Sequence, residues 1–138
     1  MNECVVSVKG FQSDTDSKDS IEMKAVGQFE FFGDKALITY YENQTIGQDV
    51  KVIIEYLTNG KLSIMRNGAL QNDMIIEKGK RNCSPYSTTQ GKLIIGVYGK
   101  SIFADLNKDG GVIFAEYDLD IEGGFISRNR IEITVKEV

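Results

Sequence analysis

The stretch IEMKAVGQFEF, Ile21 to Phe31, sets Ile21, Met23, Ala25, Gly27, Phe29 and Phe31 against Glu22, Lys24, Val26, Gln28 and Glu30. A period of two is the repeat of a β-strand with one dry face and one wet face. The same alternation returns in RIEITVKEV, where Ile131, Ile133 and Val135 oppose Arg130, Glu132, Thr134 and Lys136. Working outward, β-branched and aromatic runs recur as ECVVSVKGF, KALITYYE, DVKVIIEYL, KLSIMRN, LQNDMIIE, GKLIIGVYGKSIFADL and GVIFAEYDLDI. About ten β segments therefore fill residues 1–138 as one domain.

Short glycine-containing turns separate them: FGDK, LTNGKL, RNGA, EKGKR, TTQGK, NKDGG and IEGGF. Turns of this length join antiparallel neighbours. No window carries an apolar i, i+3, i+4, i+7 stripe that fits better than alternation, which leaves no room for crossover helices. The fold class is all-β, an antiparallel meander, and closure into an up-and-down barrel is the arrangement that removes its edges. An antiparallel sandwich is the alternative. Gly91 to Leu106 would span ~50 Å if straight, so a bend is expected at Gly96 and Gly99, and another at Gly27.

Composition narrows function. The 138 residues are 41% hydrophobic and 26% charged, as expected of a folded chain rather than a disordered one. With 16 Lys+Arg against 20 Asp+Glu, the net charge of -4 makes nucleic acid and anionic membrane poor partners. There is no histidine, and Cys4 and Cys83 stand far apart, which removes the usual zinc frameworks and any histidine-dependent triad. A disulfide between them stays open. The N-terminal residues lack a basic start and a continuous apolar stretch, so the expected location is cytoplasmic, with no membrane span.

Four motifs occur in order: YYE at Tyr40 to Glu42, LSIMRNG with Arg66 and Gly68, PYSTTQGKL with Tyr86, Thr88 and Gly91, and AEYDL with Tyr117 and Leu119. In this the chain resembles the YwiB-like family of small bacterial proteins, a domain of unknown function grouped with the calycin-like barrels. The resemblance implies a lipocalin-like up-and-down barrel of roughly eight to ten strands, and no established activity. Thr89 and Gln90 stand where the family tends to have Pro-Tyr, and Gly99 where a threonine is common.

Arg66 continues the phase of Leu62 and Ile64, and a guanidinium facing inward needs a carboxylate. Glu42, in phase with Ile38 and Tyr40 on a strand two away, is the candidate. Together with Tyr40, Tyr86 and Thr88 they would form a polar clamp at the barrel mouth for a carboxylate or phosphate. Loop length decides the matter. A two-residue turn at Asn59 and Gly60, which Asn-Gly favours, pairs Ile53 with Arg66 and leaves Arg66 in solvent beside Glu55 and Lys51. A three-residue loop, Thr58 to Gly60 with Gly60 left-handed, places Arg66 opposite Val52 on the Val50, Val52, Ile54, Tyr56 face.

Other patterns carry less. Asp105, Asn107, Asp109, Gly110 and Glu116 match the calcium-loop pattern, yet strands on both sides would put Glu116 about 17 to 20 Å from Asp109. A hairpin turn at Lys108 to Gly111 is expected instead, with no metal and no cofactor. Ser84, Ser87, Thr88 and Thr89 have no histidine to activate them and should satisfy backbone groups. Glu116, Asp118, Asp120 and Glu122 alternate with Ala115, Tyr117, Leu119 and Ile121 as a solvated face does. The residues thus favour binding over catalysis: a small anionic or amphipathic ligand at the barrel mouth or interior. The alternative is a protein-protein interaction module with a side-chain-filled barrel.

Overall fold

The computed structural model describes residues 2–13, 18–45, 48–68, 71–88 and 90–138. Among the described residues ten strands are present: β1 Asn2–Ser13, β2 Lys18–Phe31, β3 Lys35–Thr45, β4 Gln48–Leu57 and β5 Lys61–Asn67, followed by β6 Gln71–Glu77, β7 Arg81–Thr88, β8 Gly91–Asn107, β9 Gly110–Ile121 and β10 Gly124–Glu137. Each pairs antiparallel with its sequence neighbours, and β1 pairs with β10, so the meander closes into a barrel. The sandwich alternative is excluded. Cys4 and Cys83 are free thiols, the first buried and the second exposed, which settles the disulfide question.

The alternation that defines the strands also defines the inside. Cys4 and Val6 of β1, Phe29 of β2, Ile38 of β3, Ile54 of β4 and Leu62 of β5 are almost fully buried. Ile76, Ile113 and Ile133 complete the packing with no exposed surface. These residues lie toward one end, the closed end. Fully burying an aliphatic side chain is worth ~1.5–3 kcal/mol, so this packing dominates the stability of the barrel.

Strand β8 bends at one of its two predicted glycines. The register with β9 shifts between Gly99 and Ser101, a bulge that changes the inward phase from Leu93, Ile95 and Val97 to Ile102, Ala104 and Leu106. The Gly99 backbone exchanges hydrogen bonds with the β6–β7 hairpin, Gly79 N donating to Gly99 O and Gly99 N to Lys80 O. A side chain at Gly99 would overlap the Glu77 carbonyl, so this close approach requires glycine. Gly96 instead stays in register between Cys83 and Asp120, and its bare face leaves room for the Arg81–Asp120 ion pair. At Gly27, pairing of β2 with β3 stops, its last rung being Gln28 with Thr39.

The β6–β7 seam differs from the others. Asn72 and Tyr86 form the one ladder pair between these strands among the described residues, with a bridge from Glu77 to Lys80 at the hairpin. Side chains span the interval, Ser84 Oγ donating to Asp73 O at 2.9 Å and Asn82 Nδ2 to Glu77 Oε1 at 3.3 Å. Beside this interruption Asp73 Oδ1 is buried with no hydrogen-bond partner among the described residues.

At the calcium-like pattern, β8 and β9 form a hairpin with Asn107 paired to Gly110, so the loop is Lys108 and Asp109 alone rather than the expected Lys108 to Gly111. Asn107 Oδ1 accepts from its own turn at Asp109 N, 2.8 Å away, and Glu116 lies along β9 opposite Ser101. The oxygen-bearing residues of the motif therefore serve a turn and a strand rather than one centre.

Candidate functional site

The loop after β4 sets the site. Leu57 pairs with Lys61, so Thr58 to Gly60 form a three-residue loop; Gly60 has φ +102° and its N–H donates to Leu57 O at 2.9 Å. The two-residue turn favoured by Asn-Gly alone is not used. The reason lies in the strand that follows. In the observed register Leu62 and Ile64 face inward opposite Tyr56 and Ile54, whereas the tighter turn would carry both to solvent. Two buried aliphatics, at ~1.5–3 kcal/mol each, outweigh a local turn preference.

Arg66 shares the phase of Leu62 and Ile64 and so faces the interior opposite Val52. Its register row continues around the wall as Tyr40–Val52–Arg66–Asn72–Tyr86–Leu93. This belt marks the start of the open end. Above it lies a cavity of about 460 Å³. Ile64, Ile95, Leu119, Ile121 and Ile131 form much of its apolar wall, while Arg66, Asn72, Tyr86 and Tyr117 are among its polar groups. Gly10, on the inward phase of β1, also lines it and adds no side chain.

Arg66 Nη1 donates to Glu42 Oε2 at 3.1 Å, joining strands two apart as expected. Glu42 is the more enclosed partner, 11% exposed against 41% for Arg66. The Tyr40 hydroxyl donates to Glu42 Oε1 over a long 3.5 Å. Burial and then the negative charge of Glu42 push the Tyr40 phenol well above the usual tyrosine range. Burial also raises Tyr117, against the opposing pull of the Arg66 charge. Both hydroxyls therefore stay protonated and able to donate.

The expected clamp is thus partly assembled. Arg66 and Tyr86 stand on the cavity wall, while Glu42 and Tyr40 lie behind Arg66 and hold it. The backbone of Thr88 pairs with Gly91, and its side chain lies outside the described residues. Sequence reasoning did not assign Tyr117 or Asn72 to the site. Tyr117 was legible as the inward member of the Ala115, Tyr117, Leu119 phase; Asn72 became so only once the β5–β6 register was known.

The carboxylate row lies on the outer face as expected, and two of its members are ion-paired. Asp118 meets Arg128 at 3.3 Å and Lys100 at 3.7 Å, and Asp120 accepts two bonds from Arg81 at 2.6 and 2.9 Å. The Arg81 hydrogen bonds hold the Asp120 carboxyl below the usual range. Glu122 leaves the row, standing in the β9–β10 turn with φ +51°.

Comparison with known proteins agrees with this architecture. The chain is 28% identical over 114 residues to the uncharacterized beta-barrel protein YwiB of Bacillus subtilis (strain 168), covering 83% of this chain and 79% of that one. The crystal structure of ywiB protein from Bacillus subtilis superposes with a TM-score of 0.87 at 25% identity, over 99% of this chain and 92% of that chain. A family model described as a domain of unknown function, DUF1934, matches residues 6–133, and the chain belongs to this uncharacterised β-barrel family.

Proposed function

We propose that the protein binds a small amphipathic molecule in the open-end cavity, its apolar part against Ile95, Leu119, Ile121 and Ile131 and its polar head against Arg66, Tyr86 and Tyr117. The observation that carries this reading is the cavity itself: about 460 Å³, mostly apolar, with a few convergent polar groups. Small-molecule sites of ~300–1,000 Å³ share that composition. The alternative, an interaction module with a barrel filled by side chains, fits the closed end but not this space.

Thermal-shift screening against fatty acids, fatty alcohols, nucleotides and small carboxylates tests it. A ligand present at ~100 times its Kd stabilises the native state by ~2.7 kcal/mol, a rise of several degrees for a chain of this size. Amphipathic compounds should raise Tm, and Arg66→Ala should reduce that rise while the unliganded protein still melts cooperatively. A flat response across the whole set, with nucleotides and carboxylates included, would remove the ligand reading.

A further inference from the structure

Resting on that reading, we infer that Glu42 sets the ligand class: the head group is uncharged, an alcohol, amide or ester, and not the carboxylate or phosphate that an interior arginine by itself would suggest. Arg66 is the one cation among the described residues lining the cavity. Its charge is already met by Glu42 Oε2 at 3.1 Å, and Glu42 is the deeper of the two. An anionic head placed on Arg66 would therefore share one guanidinium with a second, enclosed carboxylate. That leaves a net negative charge in a mostly apolar cavity, where an unmatched charge costs more than in open solvent.

An uncharged head meets no such difficulty. It needs hydrogen bonds only, and the wall supplies hydroxyl groups on Tyr86 and Tyr117 and N–H groups on the Arg66 fork. Burial keeps the Tyr117 hydroxyl protonated, so it can donate to a carbonyl or hydroxyl oxygen. Glu42 is in these terms a specificity-determining residue. It acts through Arg66 and lies outside the wall that the ligand touches.

The test uses the uncharged reporter N-phenyl-1-naphthylamine, bound to the full chain and displaced by 1-octanol, octanoate or octyl sulfate. On the wild-type protein, octanol should displace the reporter at a concentration at least ~10-fold lower than octyl sulfate, as like-charge repulsion predicts. Glu42→Gln exposes the Arg66 charge and should improve octyl sulfate at least ~10-fold relative to octanol. The double variant Glu42→Gln with Arg66→Gln, which carries neither charge, should return the ratio to its wild-type value. Octanoate or octyl sulfate matching octanol on the wild-type protein would overturn the inference without touching the cavity reading. So would an unchanged ratio in Glu42→Gln. If none of the three displaces the reporter, the cavity reading fails and this inference with it. Should Glu42→Gln fail to fold, the wild-type ranking decides alone.

Discussion

Ile113, Ile133, Leu62 and Ile76 at the closed end have no exposed surface, whereas Leu93 and Ile21, on the inward phases of β8 and β2 at the open end, are 37% and 74% exposed. The strands are continuous from one end to the other, and the alternation that points these side chains inward is the same. The difference lies in what stands opposite. At the closed end, Phe29, Ile38 and Ile54 from three strands share one buried cluster with aliphatics of β9 and β10. At the open end, Gly10 contributes nothing, Arg66 is drawn to Glu42, and a cavity remains. Period two fixes which way a residue faces; only the set of neighbours around the ring fixes whether that direction is full.

The contrast can be broken most strongly by truncation. Ile133→Ala leaves a void among fully packed neighbours and should cost ~2–5 kcal/mol in urea unfolding, whereas Leu119→Ala only enlarges an existing cavity and should cost less than half as much. Equal losses at the two positions would mean that the open end is as tightly organised as the closed one.

Alkaline pH probes Tyr40 of the belt and Tyr117 of the cavity wall. Tyr40 and Tyr117 have folded pKa values above the ordinary ~10, so their contribution is complete below pH ~10 and is lost as pH rises toward the folded values. In that window the unfolded chain releases protons that the native state retains, and stability should fall by up to ~1.4 kcal/mol per pH unit for each phenol. Phenylalanine at both positions should flatten the slope between pH 10 and pH 11; an unchanged slope would assign the loss to other groups.

The smallest effect should come from filling the open end. An added Cβ at Gly10 meets nothing within 4 Å, and no positive φ is recorded there. Gly10→Leu should therefore leave Tm unchanged or raise stability by ~0.4–1 kcal/mol, because glycine costs more unfolded-state entropy. Reporter binding in the cavity should be lost at the same time. Full binding by a folded Gly10→Leu protein would place the ligand elsewhere.

Much of this architecture was legible in the sequence. Alternation, glycine turns and the absence of a helical stripe predict an antiparallel meander, and its edges predict closure. The β8 bulge was only half legible. Two glycines marked the region, but the phase change after Gly99 depends on a contact with the β6–β7 hairpin, which no local pattern encodes. The Arg66–Glu42 pair was legible as a candidate. Its inward direction was not, because the strongest local signal, Asn59-Gly60, favoured the opposite register, and burial of Leu62 and Ile64 overrode it. A ligand site at the mouth or interior was expected, but the extent and lining of the cavity were not legible, since they are defined by residues from eight strands.

Arg66 points inward because Leu62 and Ile64 do, and not because of any property of arginine. Orientation at position 66 is thus decoupled from identity. Any side chain substituted there is delivered to the same point on the cavity wall, by a strand whose register two other residues enforce. Position 66 works as a socket: a lysine, glutamine or methionine would inherit the address and change only the chemistry presented. The chemical preference of the cavity can therefore be changed at this position while the barrel that frames it stays the same.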